Sequence, residues 1–400
     1  MINMKSSLSS HPSFLFLILV LIISSVVLLA AADDYQPANY DNQQVPGRHD
    51  DAEKSFDEPA PGEPDGGNDD EGLHNEGSSF GPDHRTWTSI LPEPTISGLL
   101  PLDSYLSFDY YRESCPELEE IIQRKVAASI KDDHTIAASL IRLHFHDCAV
   151  RGCDGSILLN HEGSERSAKG SRTLRGFELI DDIKAEVEKK CPKTVSCADI
   201  LTATARDATL EIGGPFWEVP YGRKDGRVSS AKEADEVPMG RESITTLIEF
   251  FQSRGLNLVD LVILSGAHTI GRSECGVIQY RLYNFNGTGK ADPSIDEKYL
   301  NFLKRKCRWA SEYVDLDGET PETFDSMYYT NLQKKMGLLS TDQLLYSDSR
   351  TAGIVDTMTS QPWLFLQQFS VSMMKLGNTQ VLTGKHEGEI RTNCNSVNNY

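Results

Sequence analysis

The sequence predicts an all-α domain over residues 102–400, preceded by a secretory signal over 1–32 and an acidic extension over 33–101. Three observations carry this reading. Apolar residues recur at helical spacing in several windows, alternating strand patterns are few, and all eight cysteines lie beyond residue 114. Leu118, Ile121, Ile122, Val126 and Ile130 form one apolar stripe, and Ile136, Ala137, Leu140 and Leu143 begin a second. Phe177, Ile180, Ile183 and Val187 form a third, and Leu247, Ile248 and Phe251 a fourth. Residues three and four apart share a helix face, so each stripe reads as the buried side of an amphipathic helix.

The N-terminal segments are set apart by composition. Lys5 supplies a positive start, Phe14 to Leu29 is apolar except for Ser24 and Ser25, and Ala30-Ala31-Ala32 fits a small-residue cleavage site. A membrane anchor is the rival reading, but it needs roughly 20 apolar residues and this run is shorter. Residues 33–101 hold 16 acidic residues against three basic ones, and nine of the 18 prolines. Such a stretch buries too little apolar surface to offset its chain entropy, which predicts disorder. A solvated spacer is favoured over a polyanionic tail for basic partners, because charge blocks are usually just solvated. The remaining chain is mildly acidic, at 35 basic against 43 acidic residues, which argues against nucleic acid as a partner.

Secretion sets how the cysteines are read. Cys115, Cys148, Cys153, Cys191, Cys197, Cys275, Cys307 and Cys394 make an even count, which in an oxidising compartment predicts four disulfides without saying which. The spacings do not form the paired C-x₂-C knuckles of a zinc site. Asn286-Gly-Thr288 is an N-glycosylation sequon in a Gly-rich stretch.

The chemistry concentrates in two places. Ala137 to Cys148 reads as a helix in which Arg142, Phe145 and His146 share one face. A permanent cation, an aromatic plate and an imidazole together suit cleavage of a peroxide. The imidazole moves a proton from one oxygen to the other, and the guanidinium stabilises the charge that develops. His144 lies roughly 200° around the helix from His146 and should face elsewhere. On its own, a histidine in such a place is often only a core polar group. The following loop offers oxygen donors from the side chains of Asp147, Asp154 and Ser156 and the carbonyls of Val150 and Gly152, a set that suits Ca²⁺. Its spacing is not that of an EF-hand, and an ordinary polar turn is the plain alternative. Cys148 and Cys153 could staple the same loop.

Farther on, Leu261-Val-Ile-Leu-Ser-Gly-Ala-His268-Thr-Ile-Gly271 carries a single histidine on an apolar segment. Asp317-Gly-Glu-Thr320-Pro-Glu-Thr323-Phe-Asp325 is a second cluster of oxygen donors, which Thr269 could join. Asp342 is a candidate acceptor for the ring N–H of His268, since metal-bound histidines usually donate that proton to a carboxylate or carbonyl.

Taken in order, these segments resemble a known family. Arg142-Leu-His-Phe-His-Asp-Cys148, Arg151-Gly-Cys-Asp-Gly-Ser156, Leu174-Arg-Gly-Phe177, Ser196-Cys-Ala-Asp-Ile200, Gly222-Arg-Lys-Asp-Gly226 and Leu264-Ser-Gly-Ala-His-Thr-Ile-Gly-Arg272 resemble the secretory class III haem peroxidases of plants. Thr320-Pro-Glu-Thr-Phe-Asp325 and Ile390-Arg-Thr-Asn-Cys394 extend the match over roughly 103–396. The resemblance implies two helical lobes sandwiching haem b, with His268 as axial ligand, His146 as acid–base and Arg142 as charge stabiliser. It implies a distal Ca²⁺ on Asp147, Val150, Gly152, Asp154 and Ser156, and a proximal one on Thr269, Asp317, Thr320, Thr323 and Asp325. Pro238 would line substrate access. The disulfides would be Cys115–Cys191, Cys148–Cys153, Cys197–Cys394 and Cys275–Cys307. The implied protein is a secreted monomer of the cell wall or apoplast. It would reduce hydrogen peroxide to water while two phenolic donors each give one electron.

The chain departs from the family at two points. The Asn that commonly precedes Arg-Gly-Phe is absent from Lys169-Gly-Ser-Arg-Thr173, where Ser171 lies near its place and Glu165 is the candidate carboxylate behind it. Glu274 stands where a neutral or basic residue often approaches a haem propionate. The missing Asn and the acidic extension keep in view a weakly active, haem-bound wall protein, held through that extension or another surface to polysaccharide or protein. A zinc hydrolase built on His144, His146 and Asp147 ranks lowest, since no H-E-x-x-H-like pattern occurs.

Overall fold

The computed structural model describes residues 105–399. The expected signal segment and acidic extension lie outside the described residues. Among those described, thirteen α-helices and one two-stranded ribbon make up the regular structure, apart from short 3₁₀ turns.

Helix α1 (Leu118–Asp132) buries the five residues of the first apolar stripe. Helix α2 (Ile136–Val150) extends slightly beyond the predicted segment at each end and carries Arg142 and His146. After α3 (Phe177–Lys190), helix α4 (Cys197–Glu211) is buried continuously from Cys197 to Thr209. A helix covered all round belongs in the core. Small side chains at Ala198, Ala203, Ala205 and Ala208 let α1, α2 and α3 pack close around it. Its first turn is closed by Ser196 Oγ, which accepts the Asp199 N–H at 3.1 Å, a cap contributing about 1 kcal/mol.

A one-turn helix α5 (Ala231–Ala234) precedes α6 (Ile244–Gln252) and α7 (Leu258–Ser265). Helix α7 starts with a capping box, in which Asn257 Oδ1 accepts from Asp260 N and Asp260 Oδ2 accepts from Asn257 N. It then tightens into the 3₁₀ turn Gly266–Thr269 that carries His268. A Cβ at Gly266 would lie 2.4 Å from the Tyr329 hydroxyl and 2.6 Å from Phe365, so only glycine fits under that turn. Strand β1 (Arg272–Glu274) follows at once and pairs antiparallel with β2 (Tyr313–Asp315).

Helices α8 (Cys275–Tyr283) and α9 (Glu297–Lys306) form a small core of their own with Val314 and Leu338. Helices α10 (Met327–Gln333), α11 (Ser340–Ser347), α12 (Ala352–Ser360) and α13 (Pro362–Gly377) complete the fold and join the main core. Asp260 accepts hydrogen bonds from Ser372 and Lys375, which ties α13 to the start of α7. Disulfides link Cys115–Cys191, Cys148–Cys153, Cys197–Cys394 and Cys275–Cys307, and none of the described cysteines is free. No helix of the described residues is long and apolar enough to cross a membrane.

Candidate active site

Arg142 and His146 sit one turn apart on α2, with Phe145 beside them. The Phe145 ring lies edge-on to His146 and stacks on Phe251 of α6. Arg142 is held at both guanidinium ends. Nη1 donates to Thr173 Oγ1 at 3.0 Å and Nη2 to the Gly170 carbonyl at 2.7 Å. Burial pushes its pKa down and the Glu274 charge pushes it back up, but a guanidinium stays protonated in proteins. His146 is lowered to about 3, first by burial and then by the Arg142 cation. It is therefore a neutral imidazole at pH 7, able to accept a proton. Its Nδ1 is buried without a hydrogen-bond partner, and so is Ser171 Oγ. His144 faces elsewhere, with its ring against Cys148 Sγ and the Arg223 charge near it.

His268 lies on the 3₁₀ turn after α7. Its Nδ1 meets Asp342 Oδ1 at 2.8 Å. Asp342 also accepts from the Tyr328 hydroxyl and from the Leu339 N–H. With Nδ1 engaged, Nε2 is the nitrogen left to bind a metal. Burial disfavours the His268 cation, but the Asp342 carboxylate outweighs it and raises the pKa, while Arg142 opposes. The side chain nevertheless has 36 % of its surface open to solvent, as for a ring that lines a cleft. Arg142 thus acts electrostatically on both imidazoles, although 126 positions separate Arg142 from His268 along the chain.

The two oxygen-rich segments flank these histidines. Asp147 directly follows His146, and its carboxylate accepts from Gly155 N at 2.9 Å and Ile157 N at 3.3 Å. Burial and the neighbouring Asp154 charge push Asp147 well above the carboxylate range. Burial lifts Asp154 to about 6 and Glu165 to about 8. Ser156 Oγ is buried without a partner, Val150 ends α2, and Gly152 takes a positive φ of 91° that a side chain would strain. Buried carboxylates held together with an unpaired hydroxyl fit a hard cation. On the other side, Thr269 Oγ1 and Thr320 Oγ1 each donate to Asp325 Oδ1 at 3.2 Å. Asp317 is buried and lies beside the same hydroxyl of Thr269. Burial, with the Asp325 charge adding to it, raises its pKa. Thr323 is exposed, and its N–H donates to the Thr320 carbonyl.

Several contributors are not evident from sequence. The Gly170 carbonyl and Thr173 orient Arg142, Tyr328 braces Asp342, and Asn331 Nδ2 donates to Asp317 at 2.7 Å. Glu274 accepts a hydrogen bond from the Tyr313 hydroxyl across the β ribbon. Pro238 is half-buried next to exposed Met239, whose sulfur lies against Gly170. The third reading, with His144, His146 and Asp147 on zinc, has no geometric basis. Among the described residues, the group of metal-capable side chains within 4.8 Å is His144 with Cys148 and Cys153. Those sulfurs are a disulfide and offer no thiolate.

Comparison with known proteins agrees with this geometry. The Peroxidase family model matches residues 122–361. Peroxidase 7 of Arabidopsis thaliana is 57 % identical over 302 residues, covering 75 % of this chain and 86 % of that protein. Peroxidase 10 of the same plant is 44 % identical over 304 residues, covering 73 % and 87 %. Peroxidase 27 is 46 % identical over 299 residues, covering 73 % and 92 %. With helices, paired histidines, guanidinium and disulfides all in the order the motifs demand, the chain belongs to the class III secretory haem peroxidases of plants.

Proposed function

We propose that this protein is a secreted haem b enzyme of the cell wall or apoplast that removes hydrogen peroxide by oxidising phenolic donors, as part of the response to oxidative stress. The observation that carries this reading is geometric: Arg142 and His146 lie one turn apart on α2, Arg142 is fixed by Thr173 and the Gly170 carbonyl, and His268 is fixed by Asp342 at 2.8 Å. Haem, when bound, supplies the iron and the electrons for splitting the O–O bond. The chain's own residues do the rest. His268 would hold the iron through Nε2, with Asp342 on Nδ1 keeping the ring oriented and electron-rich. His146, neutral at pH 7, takes the proton from one peroxide oxygen and returns it to the other, so that water leaves. Arg142, already fixed by Gly170 and Thr173, stabilises the charge on the departing oxygen without reorganising.

Two Ca²⁺ ions would neutralise the carboxylates on either side: Asp147, Val150, Gly152, Asp154 and Ser156 for one, and Thr269, Asp317, Thr320, Thr323 and Asp325 for the other. Each loop adjoins one of the histidines along the chain, so losing calcium should disturb the iron's surroundings. Pro238 would border the donor entrance. Asn286, exposed with φ 51° in a surface turn, is accessible for glycosylation. The working unit is proposed to be a monomer.

The test is the absorption spectrum of the purified protein with a peroxide titration and a guaiacol assay. A Soret band and turnover are expected. His268→Ala should lose haem, whereas His146→Ala should keep it and lose peroxide cleavage. Retained haem in the first variant would overturn the ligand assignment. The unpartnered His146 Nδ1 favours a second reading, a haem-bound protein of low activity. Turnover near that of ordinary family members removes it.

A further inference from the structure

A thioether borders the pocket of His146. A Cβ at Gly170 would lie 2.8 Å from Met239 Sδ and 3.8 Å from His146 Cε1. Sulfur and imidazole therefore approach the same glycine, the sulfur into the space a side chain there would take. Met239 is 38 % exposed. Met358, Met373 and Met374 are buried, and Met327 and Met336 are half-buried. Among the described residues, the methionine most open to water is thus also the one against the His146 wall.

The backbone that carries the sulfur is anchored. The Glu242 carboxylate accepts the backbone N–H groups of Met239, Gly240 and Arg241 at 2.8, 3.0 and 2.9 Å. Arg241 donates to the Val277 carbonyl, and its guanidinium lies 4.2 Å from the Tyr280 ring centroid. On the opposite side, the Gly170 carbonyl is the acceptor that fixes Arg142. Met239, Gly170 and Arg142 therefore form one continuous, anchored wall, with the sulfur at its wet end.

We propose that Met239 is the protein's primary site of oxidation by its own substrate, and that its sulfoxide weakens donor binding at the pocket mouth. The sulfur lone pair attacks one oxygen of hydrogen peroxide. An S–O bond forms as the O–O bond breaks, sulfur is oxidised by two electrons, and the departing hydroxide takes the proton of the transferred oxygen and leaves as water. The product is a polar, chiral group in place of a flexible apolar one. The added oxygen places a polar group next to Pro238, where an aromatic donor would otherwise meet an apolar surface. The oxidation rests on the established substrate alone. The effect on the donor rests on the proposed function.

The experiment treats the calcium-loaded holoenzyme with hydrogen peroxide in the absence of donor while cyanide blocks the haem, so that peroxide is not consumed there, and after removal of the cyanide follows with peptide mass mapping and donor kinetics. Sulfoxide is expected at Met239 ahead of Met327 and Met336. The KM for guaiacol should rise several-fold, with the Soret band and the rate of reaction with peroxide unchanged. Methionine sulfoxide reductase should reverse the rise, and Met239→Leu should not show it. Oxidation of Met239 no faster than that of Met327 or Met336 would overturn the proposal. So would an unchanged KM in the treated protein, or the same rise in the Leu variant. Were the untreated protein to oxidise no phenol, the proposed function would fall, and the mass map would still decide the oxidation site.

Discussion

Replacing Ser171 by Asn measures how much of the competence of His146 is lost at its unpartnered nitrogen. His146 Nδ1 and Ser171 Oγ are both buried with no partner. Ser171 follows Gly170, the glycine that His146 Cε1 nearly touches, so a longer amide at 171 can bring a carbonyl to the ring. A hydrogen bond between neutral groups contributes ~0.5–1.5 kcal/mol net, and one to a charged group ~1.5–3 kcal/mol. The ring is neutral at rest, with a pKa of about 3, and gains positive charge as it accepts the peroxide proton. The amide should therefore stabilise the transition state by about 1.4 kcal/mol more than the ground state, or about tenfold in rate. Stopped-flow mixing with peroxide reads this as the second-order rate constant. Ser171→Ala should match the parent, because the hydroxyl has no bond to lose. The larger side chain at a buried position costs stability, about 1–3 kcal/mol, which a melting curve separates from the rate. An Asn variant with a normal spectrum and an unchanged rate would show that His146 needs no such partner.

Three further outcomes are expected. Asp342→Asn keeps an acceptor for His268 but removes the charge, so haem should pass to a scavenging apoprotein about 10–100-fold faster, and an unchanged rate would argue against the bracing role. Glu165 has a folded pKa of about 8 against an ordinary 4.5. The stability it contributes is therefore full below pH 4.5 and lost as the pH rises through 8, at most ~5 kcal/mol. In calcium-free protein, Glu165→Gln should melt with the parent below that window and above it at higher pH, whereas a gap independent of pH would contradict the burial argument. Opening the Cys275–Cys307 loop by Ala at both positions frees a 32-residue separation. It should lower unfolding free energy by about 3–4 kcal/mol in a denaturant titration.

The helices were legible because each stripe is a local property. The stripe over Leu118–Ile130 is the buried face of α1 residue for residue. The two strands of the ribbon were not, since three-residue segments carry no pattern and exist only because Gly271 delivers β1 to β2, about forty positions on. Glu274 shows the same limit. From sequence it is a carboxylate where a neutral or basic residue often approaches a haem propionate, whereas folding supplies the Tyr313 hydroxyl that it accepts from.

The sequence by itself determined which groups are the candidates for the chemistry. Arg142 and His146 face the same way because a helix repeats every ~3.6 residues, and the donors of the distal loop adjoin them in the chain. Only the tertiary structure decided what holds those groups. Asp342, already a candidate in the sequence, is brought to His268 across 74 positions, and the Gly170 carbonyl, which the sequence did not offer, reaches Arg142 across 28. Met239 meets Gly170, and Nδ1 of His146 is left without a partner. Such pairings depend on how separate helices pack against α4, and no local periodicity encodes the distance between side chains that meet only in the folded chain.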